Sequence, residues 1–96
     1  MNIGSVIHRY RKSKGLKQYV IAEKCGISRT YLSQIESGRC NPSMKILDKI
    51  CIAMGLPLPI ISFLSIKEEN ISIEKREAWK KIYPVVLSMI EEYFEV

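Results

Sequence analysis

The sequence predicts an all-α fold. Apolar residues recur at three- and four-residue steps, glycines and capping side chains punctuate those stretches, and no strand-like alternation persists beyond a few residues. With 96 residues, 47% of them apolar, the chain can bury one core without disulfide or metal staples, and one domain plus an appendage is the largest architecture it supports.

Ile3, Val6, Ile7 and Tyr10 share one face of a first helix, with Asn2 as its cap and Gly15 ending it after Lys14. Gln18 to Cys25 gives two turns with Ile21, Ala22 and Cys25 on one side, and Gly26 stands where a left-handed closing residue is wanted. Ser28 is suited to cap a third helix, Arg29 to Ser37, which Gly38 stops. After Asn41-Pro42, Ser43 caps a fourth helix whose apolar stripe is Met44, Leu47, Ile50, Cys51 and Met54. A short fifth helix runs from about Pro59 to Leu64, with its proline in the first turn. Beyond the polar segment Lys67 to Asn70, Ser72 starts a last helix reaching toward Phe94. Pro84 lies inside it and predicts a kink, or two shorter helices meeting near Tyr83. The expected division is a domain over residues 1–66 and a helical extension over 67–96.

The net charge of +5 is unevenly placed. Residues 1–66 hold ten Lys/Arg against three acids, while residues 67–96 hold five against seven. Arg9, Arg11, Lys12, Lys14 and Lys17 form an acid-free cluster, which is either a solvated basic face or a surface for a polyanion. Cys25, Cys40 and Cys51 are odd in number and widely spaced, so neither a closed disulfide set nor a CxxC pair is available. They fit free thiols in a reducing cytoplasm, and Cys25 and Cys51 fall at apolar helical positions. The first residues do not read as a secretory signal. Ile50 to Ile66 is uncharged, but Gly55, Pro57 and Pro59 break it, so no membrane span is expected.

On a helical wheel, residues 28–37 separate into two arcs. Ser28, Tyr31, Leu32 and Ile35 lie on one; Arg29, Thr30, Ser33, Gln34 and Ser37 lie on the other, with Glu36 toward the boundary. One arc packs. The other carries hydrogen-bonding side chains and no acid, as a surface addressing base edges or phosphates requires. Two short helices joined by Gly26-Ile27-Ser28, the second presenting such a face, form a helix-turn-helix, and Ala22 is small enough to let them cross closely.

Ile3-Gly4, Arg11, Gly15, Gln18, Ala22, Gly26-Ile27-Ser28, Tyr31-Leu32, Gln34-Ile35-Glu36 and Gly38 resemble the phage repressor and Cro type (XRE-like) of helix-turn-helix regulators over roughly residues 3–64. The resemblance implies five helices with the second and third as the DNA-reading pair. It implies that Arg29, Thr30, Ser33 and Gln34 face bases, that Gln18, Ser37, Arg39 and Lys45 lie along the backbone, and that Arg11 braces Glu36. This chain departs from the pattern at Lys17, where a Ser/Thr cap is usual, and at Tyr19 and Val20, where polar residues are common.

No metal, phosphate-loop or nucleophile motif supports an enzyme, and no cofactor is implied. The lone His8 lacks a catalytic setting and reads as a surface or phosphate-contacting residue. At the first turn of the third helix, Arg29 can grip guanine O6 and N7; a phosphate contact is the alternative. Trp79, Tyr83, Val86, Ile90 and Tyr93 form a seam that either a second copy fills or the chain folds back on its own domain. The expected function is sequence-specific binding of a double-stranded operator by a cytoplasmic homodimeric regulator, a repressor in the first instance. Rival readings are an antitoxin with a toxin partner, a restriction-modification controller binding its own promoter, and an interaction module that has lost DNA binding.

Overall fold

The computed structural model describes residues 2–94, which form six α-helices and no strand. They are α1 (Ile3–Ser13), α2 (Gln18–Cys25), α3 (Arg29–Glu36), α4 (Met44–Met54), α5 (Leu58–Leu64) and α6 (Arg76–Phe94). Three starts are fixed by the caps the sequence predicts. Asn2 Oδ1 accepts from the Ser5 amide at 2.8 Å, Ser28 Oγ from Tyr31 at 3.0 Å and Ser43 Oγ from Ile46 at 3.2 Å. Lys17 supplies no such bond to α2.

The core is one cluster. Val6, Ile7 and Tyr10 of α1 meet Ile21, Ala22 and Cys25 of α2, Leu32 and Ile35 of α3, Leu47, Ile50, Cys51 and Met54 of α4, and Ile61 and Leu64 of α5. Each helix contributes the positions its period dictates, so α1 packs on α3 and α5 while α2 packs on α4. Ile90 of α6 is buried in the same cluster, with Val86, Leu87 and Phe94 packed against it.

Three details differ from the sequence expectation, and a fourth narrows it. Met44 is 67% exposed, because the first turn of α4 projects past the core that begins at Leu47. Ser37 is the cap after α3 and not its last residue; its Oγ donates to the Gln34 carbonyl at 3.1 Å. Ser72 heads a single 3-10 turn, Ile73–Lys75, that runs into α6 at Arg76. Of the two forms expected at Pro84, the division into two helices is not adopted: α6 runs through the proline as one element. Lys80 and Pro84 are both exposed, so the carbonyl that proline leaves without an amide partner lies on the solvated side, while Trp79, Tyr83 and Ile90 anchor both halves of the helix.

The uncharged run from Ile50 to Ile66 ends α4, turns at Gly55 and builds α5, the two helices being bent by 106°. No single helix among the described residues is long and apolar enough to cross a membrane. The three thiols are free, and Cys25 and Cys51 are buried. Burial pushes both thiols up; Asp48 and Cys25 add to it at Cys51, which reaches about 11, while Lys49 partly offsets it at Cys25. Both are small core hydrophobes with little thiolate character at neutral pH.

Candidate nucleic-acid interface

The turn between α2 and α3 sets the angle of the presented helix. Gly26 has φ 68°, a left-handed conformation that costs glycine little, and its amide donates to Glu23 O at 3.1 Å while that of Ile27 donates to Ala22 O at 3.0 Å. The chain reverses there within two residues, and the Ser28 cap starts α3. Ala22, 2% exposed, fills the crossing of the two helices. At the far end of α3, Gly4 sits directly on its backbone: a methyl group there would collide with the Ile35 carbonyl oxygen and lie 3.1 Å from that of Glu36. Absence of a side chain at Gly4 lets α1 support the C-terminal end of α3.

Leu32 and Ile35 are buried, Tyr31 is half-buried, and Arg29, Thr30 and Ser33 are exposed, as the wheel anticipates. Arg29, Thr30, Ser33 and half-buried Gln34 line one concave surface with Gln18 and Arg39, and no carboxylate is among them. Ser37 lines an adjoining hollow with His8, Gln18, Ser33 and Glu36. Lys45 is exposed in the first turn of α4 and lines neither. The thiol of Cys40, 3.6 Å away, occupies the Gln34 amide oxygen.

Behind this surface lies a polar network centred on Glu36. Arg11 Nε donates to Glu36 Oε2 and Nη2 to Oε1, both at 2.8 Å, while Nη1 donates to the Leu16 carbonyl at 2.8 Å. His8 Nδ1 donates to Glu36 Oε1 at 2.7 Å and Gln18 Nε2 to the same oxygen at 3.3 Å. Arg29 Nε reaches Gln18 Oε1 at 3.5 Å, so hydrogen bonds run from the buried carboxylate to the first residue of α3. Burial pushes the Glu36 carboxyl up, but donors on Arg11, His8 and Gln18 and the guanidinium charge together outweigh it and hold the group below the usual carboxylate range.

Arg11 and Glu36 are thus paired between α1 and α3, and two features of the network were not foreseen. Glu36 is buried, not at the boundary, which also removes Arg11 from the cations open to a polyanion. His8 joins the network; its place three residues before Arg11, on the same face of α1, was the available signal. The C-terminal seam adopts the folded-back arrangement in part. Phe63 of α5 stacks on Tyr83 with ring centroids 5.4 Å apart and meets Trp79 at 5.5 Å, Val86 and Ile90 pack on the core, and Tyr93 stays exposed.

Comparison with known proteins agrees with this geometry. The helix-turn-helix family profile matches residues 7–61. The ImmF control region 10 kDa protein of Bacillus phage phi105 is 45% identical over 65 residues, 68% of this chain and 72% of that protein. The immunity repressor protein of the same phage is 37% identical over 79 residues, 80% of this chain but 55% of its own length, so the chain spans about half of that relative. A mutant of the restriction-modification controller protein C.Esp1396I superposes with a TM-score of 0.62 at 30% identity, covering 69% of this chain and 86% of that one. The clp gene regulator ClgR of Corynebacterium glutamicum, 22% identical, shares the fold over 93% of this chain and 86% of its own with a TM-score of 0.64. Cap, turn, buried brace and acid-free polar surface coincide within residues 7–61, and the chain belongs to the helix-turn-helix family of Cro/C1-type, DNA-binding transcriptional regulators.

Proposed function

We propose that the protein is a repressor that binds a two-fold symmetric operator as a homodimer in the cytoplasm, each copy laying α3 in the major groove. The observation that carries this reading is the shared surface of Gln18, Arg29, Thr30, Ser33, Gln34 and Arg39. Arg29, Thr30, Ser33 and Gln34 address base edges. Gln18, Ser37, Arg39 and Lys45 lie along the flanking phosphates, with the basic residues of the 1–66 domain supplying the counterion-release component of affinity. The extension over residues 67–96 is the dimerisation segment. Likeness to two proteins of a phage immunity region supports repression.

A second reading, a controller of a restriction-modification locus that binds its own promoter, draws on the likeness to C.Esp1396I. Both require an operator. Incubating the full chain with random genomic fragments and sequencing what it retains should recover one inverted repeat, with affinity falling steeply as salt rises. Failure to enrich any motif, with a flat salt dependence, would remove the DNA-reading assignment. The identity of the neighbouring gene separates the two readings.

A further inference from the structure

Helix α6 has two apolar faces, and the fold uses one. Trp79, Tyr83, Val86 and Ile90 turn toward α5 and the core. Roughly a quarter-turn away, Ile82, Val85, Met89 and Tyr93 succeed one another at steps of three, four and four, and they are 53%, 61%, 53% and 74% exposed. Four large apolar side chains in a row on one helix are a contiguous stripe, unlike the scattered exposed hydrophobics normal on a surface.

Charge along the helix indicates what covers the stripe. Lys81 and Glu92 both flank it on the same side, one near each end, and both are exposed. They are eleven residues apart, about 16 Å along the axis, and centred between Val86 and Leu87. Two copies of α6 packed stripe to stripe and antiparallel set each Lys81 opposite the partner copy's glutamate at that position, twice per pair, and interleave Ile82 and Val85 of one helix with Val85, Met89 and Tyr93 of the other. A parallel pair puts the Lys81–Glu92 flanks of the two copies on opposite edges of the seam, so neither lysine meets a glutamate of the other copy.

We propose that the Ile82–Val85–Met89–Tyr93 stripe is the dimer surface and that it pairs with a second copy of this chain in antiparallel orientation, with Lys81 and Glu92 fixing the direction. This rests on the homodimeric reading above and specifies its surface. The two-fold axis then crosses α6 near its middle, so the pair has one closed, self-complementary interface.

The test is sedimentation equilibrium of the full chain without DNA, with helix content monitored by circular dichroism. The wild type should be dimeric at high micromolar concentration, and Val85→Lys with Met89→Lys should be monomeric with unchanged helix content, since both residues are exposed. Lys81→Glu alone and Glu92→Lys alone should each weaken dimerisation about tenfold, and the two together should restore it to within about threefold. A monomeric wild type, a dimer indifferent to Val85→Lys and Met89→Lys, or single charge reversals without effect would each overturn the proposal. Operator selection by the same chain is scored separately, so loss of DNA binding and loss of pairing are told apart.

Discussion

The Arg11 guanidinium grips the Glu36 carboxylate through two parallel hydrogen bonds of 2.8 Å, joining residues 25 apart in the chain and tying α1 to the end of α3. Both side chains are more than nine-tenths buried, so removing Arg11 takes from the buried Glu36 its guanidinium charge and the donor to Oε2, leaving His8 and Gln18 on Oε1 alone. Arg11→Ala is expected to cost about 3–5 kcal/mol of stability, well above an ordinary surface change. Urea unfolding monitored by circular dichroism measures this; a loss under about 1 kcal/mol would mean that water enters and solvates Glu36.

The same pair makes stability depend on acid. The Glu36 carboxyl is held below its ordinary value in the folded chain, so its contribution is complete above the unfolded value of about 4.3 and is lost as pH falls through the lower folded value. Unfolding curves of the wild type and Glu36→Gln should therefore draw together as pH falls below the ordinary carboxylate range and converge in stronger acid. A gap that widens on acidification would contradict the direction assigned to Glu36.

Helix positions, caps and the division of α3 into a buried and a polar arc were legible because each depends on local chemistry. Ser28 caps α3, Gly26 closes α2, and Leu32 and Ile35 must be buried if Arg29 and Ser33 are to face out. Burial of Glu36 was not legible in that way: helix periodicity placed it near the boundary, and only the meeting of α1 and α3 supplies the donors that let a carboxylate enter the core. The direction of the C-terminal stripe depends likewise on a long-range partner, Phe63, sixteen residues before Trp79. Pro84 forbids one hydrogen bond, but sequence alone does not show that both flanking turns are anchored.

Gly4→Ala separates local propensity from packing. Alanine is the better helix former by about 1 kcal/mol, so at an exposed site in α1 this exchange would stabilise. At this site the new methyl meets the Ile35 and Glu36 carbonyl oxygens and pushes α1 off α3. A net loss of about 1–2 kcal/mol is expected, the steric cost exceeding the propensity gain. Thermal unfolding gives the sign directly; a higher midpoint would show that α1 and α3 separate there without strain.

Ser28 and Arg29 are adjacent and should fail in opposite ways. Ser28 Oγ caps α3, so Ser28→Ala should cost about 1 kcal/mol of stability and leave base preferences unchanged. Arg29 is exposed on the surface proposed to read bases, and its hydrogen bond to Gln18 is long, so Arg29→Ala should leave the unfolding curve nearly unmoved. The effect should appear in binding, as a preference relaxed by about 1–3 kcal/mol at one base pair in each half-site. Affinities for a panel of single-base operator variants distinguish the outcomes. Weakening spread evenly over every variant, with a salt slope shallower by about 1 for each phosphate no longer neutralised, would assign the guanidinium to phosphate and leave base readout to Thr30, Ser33 and Gln34.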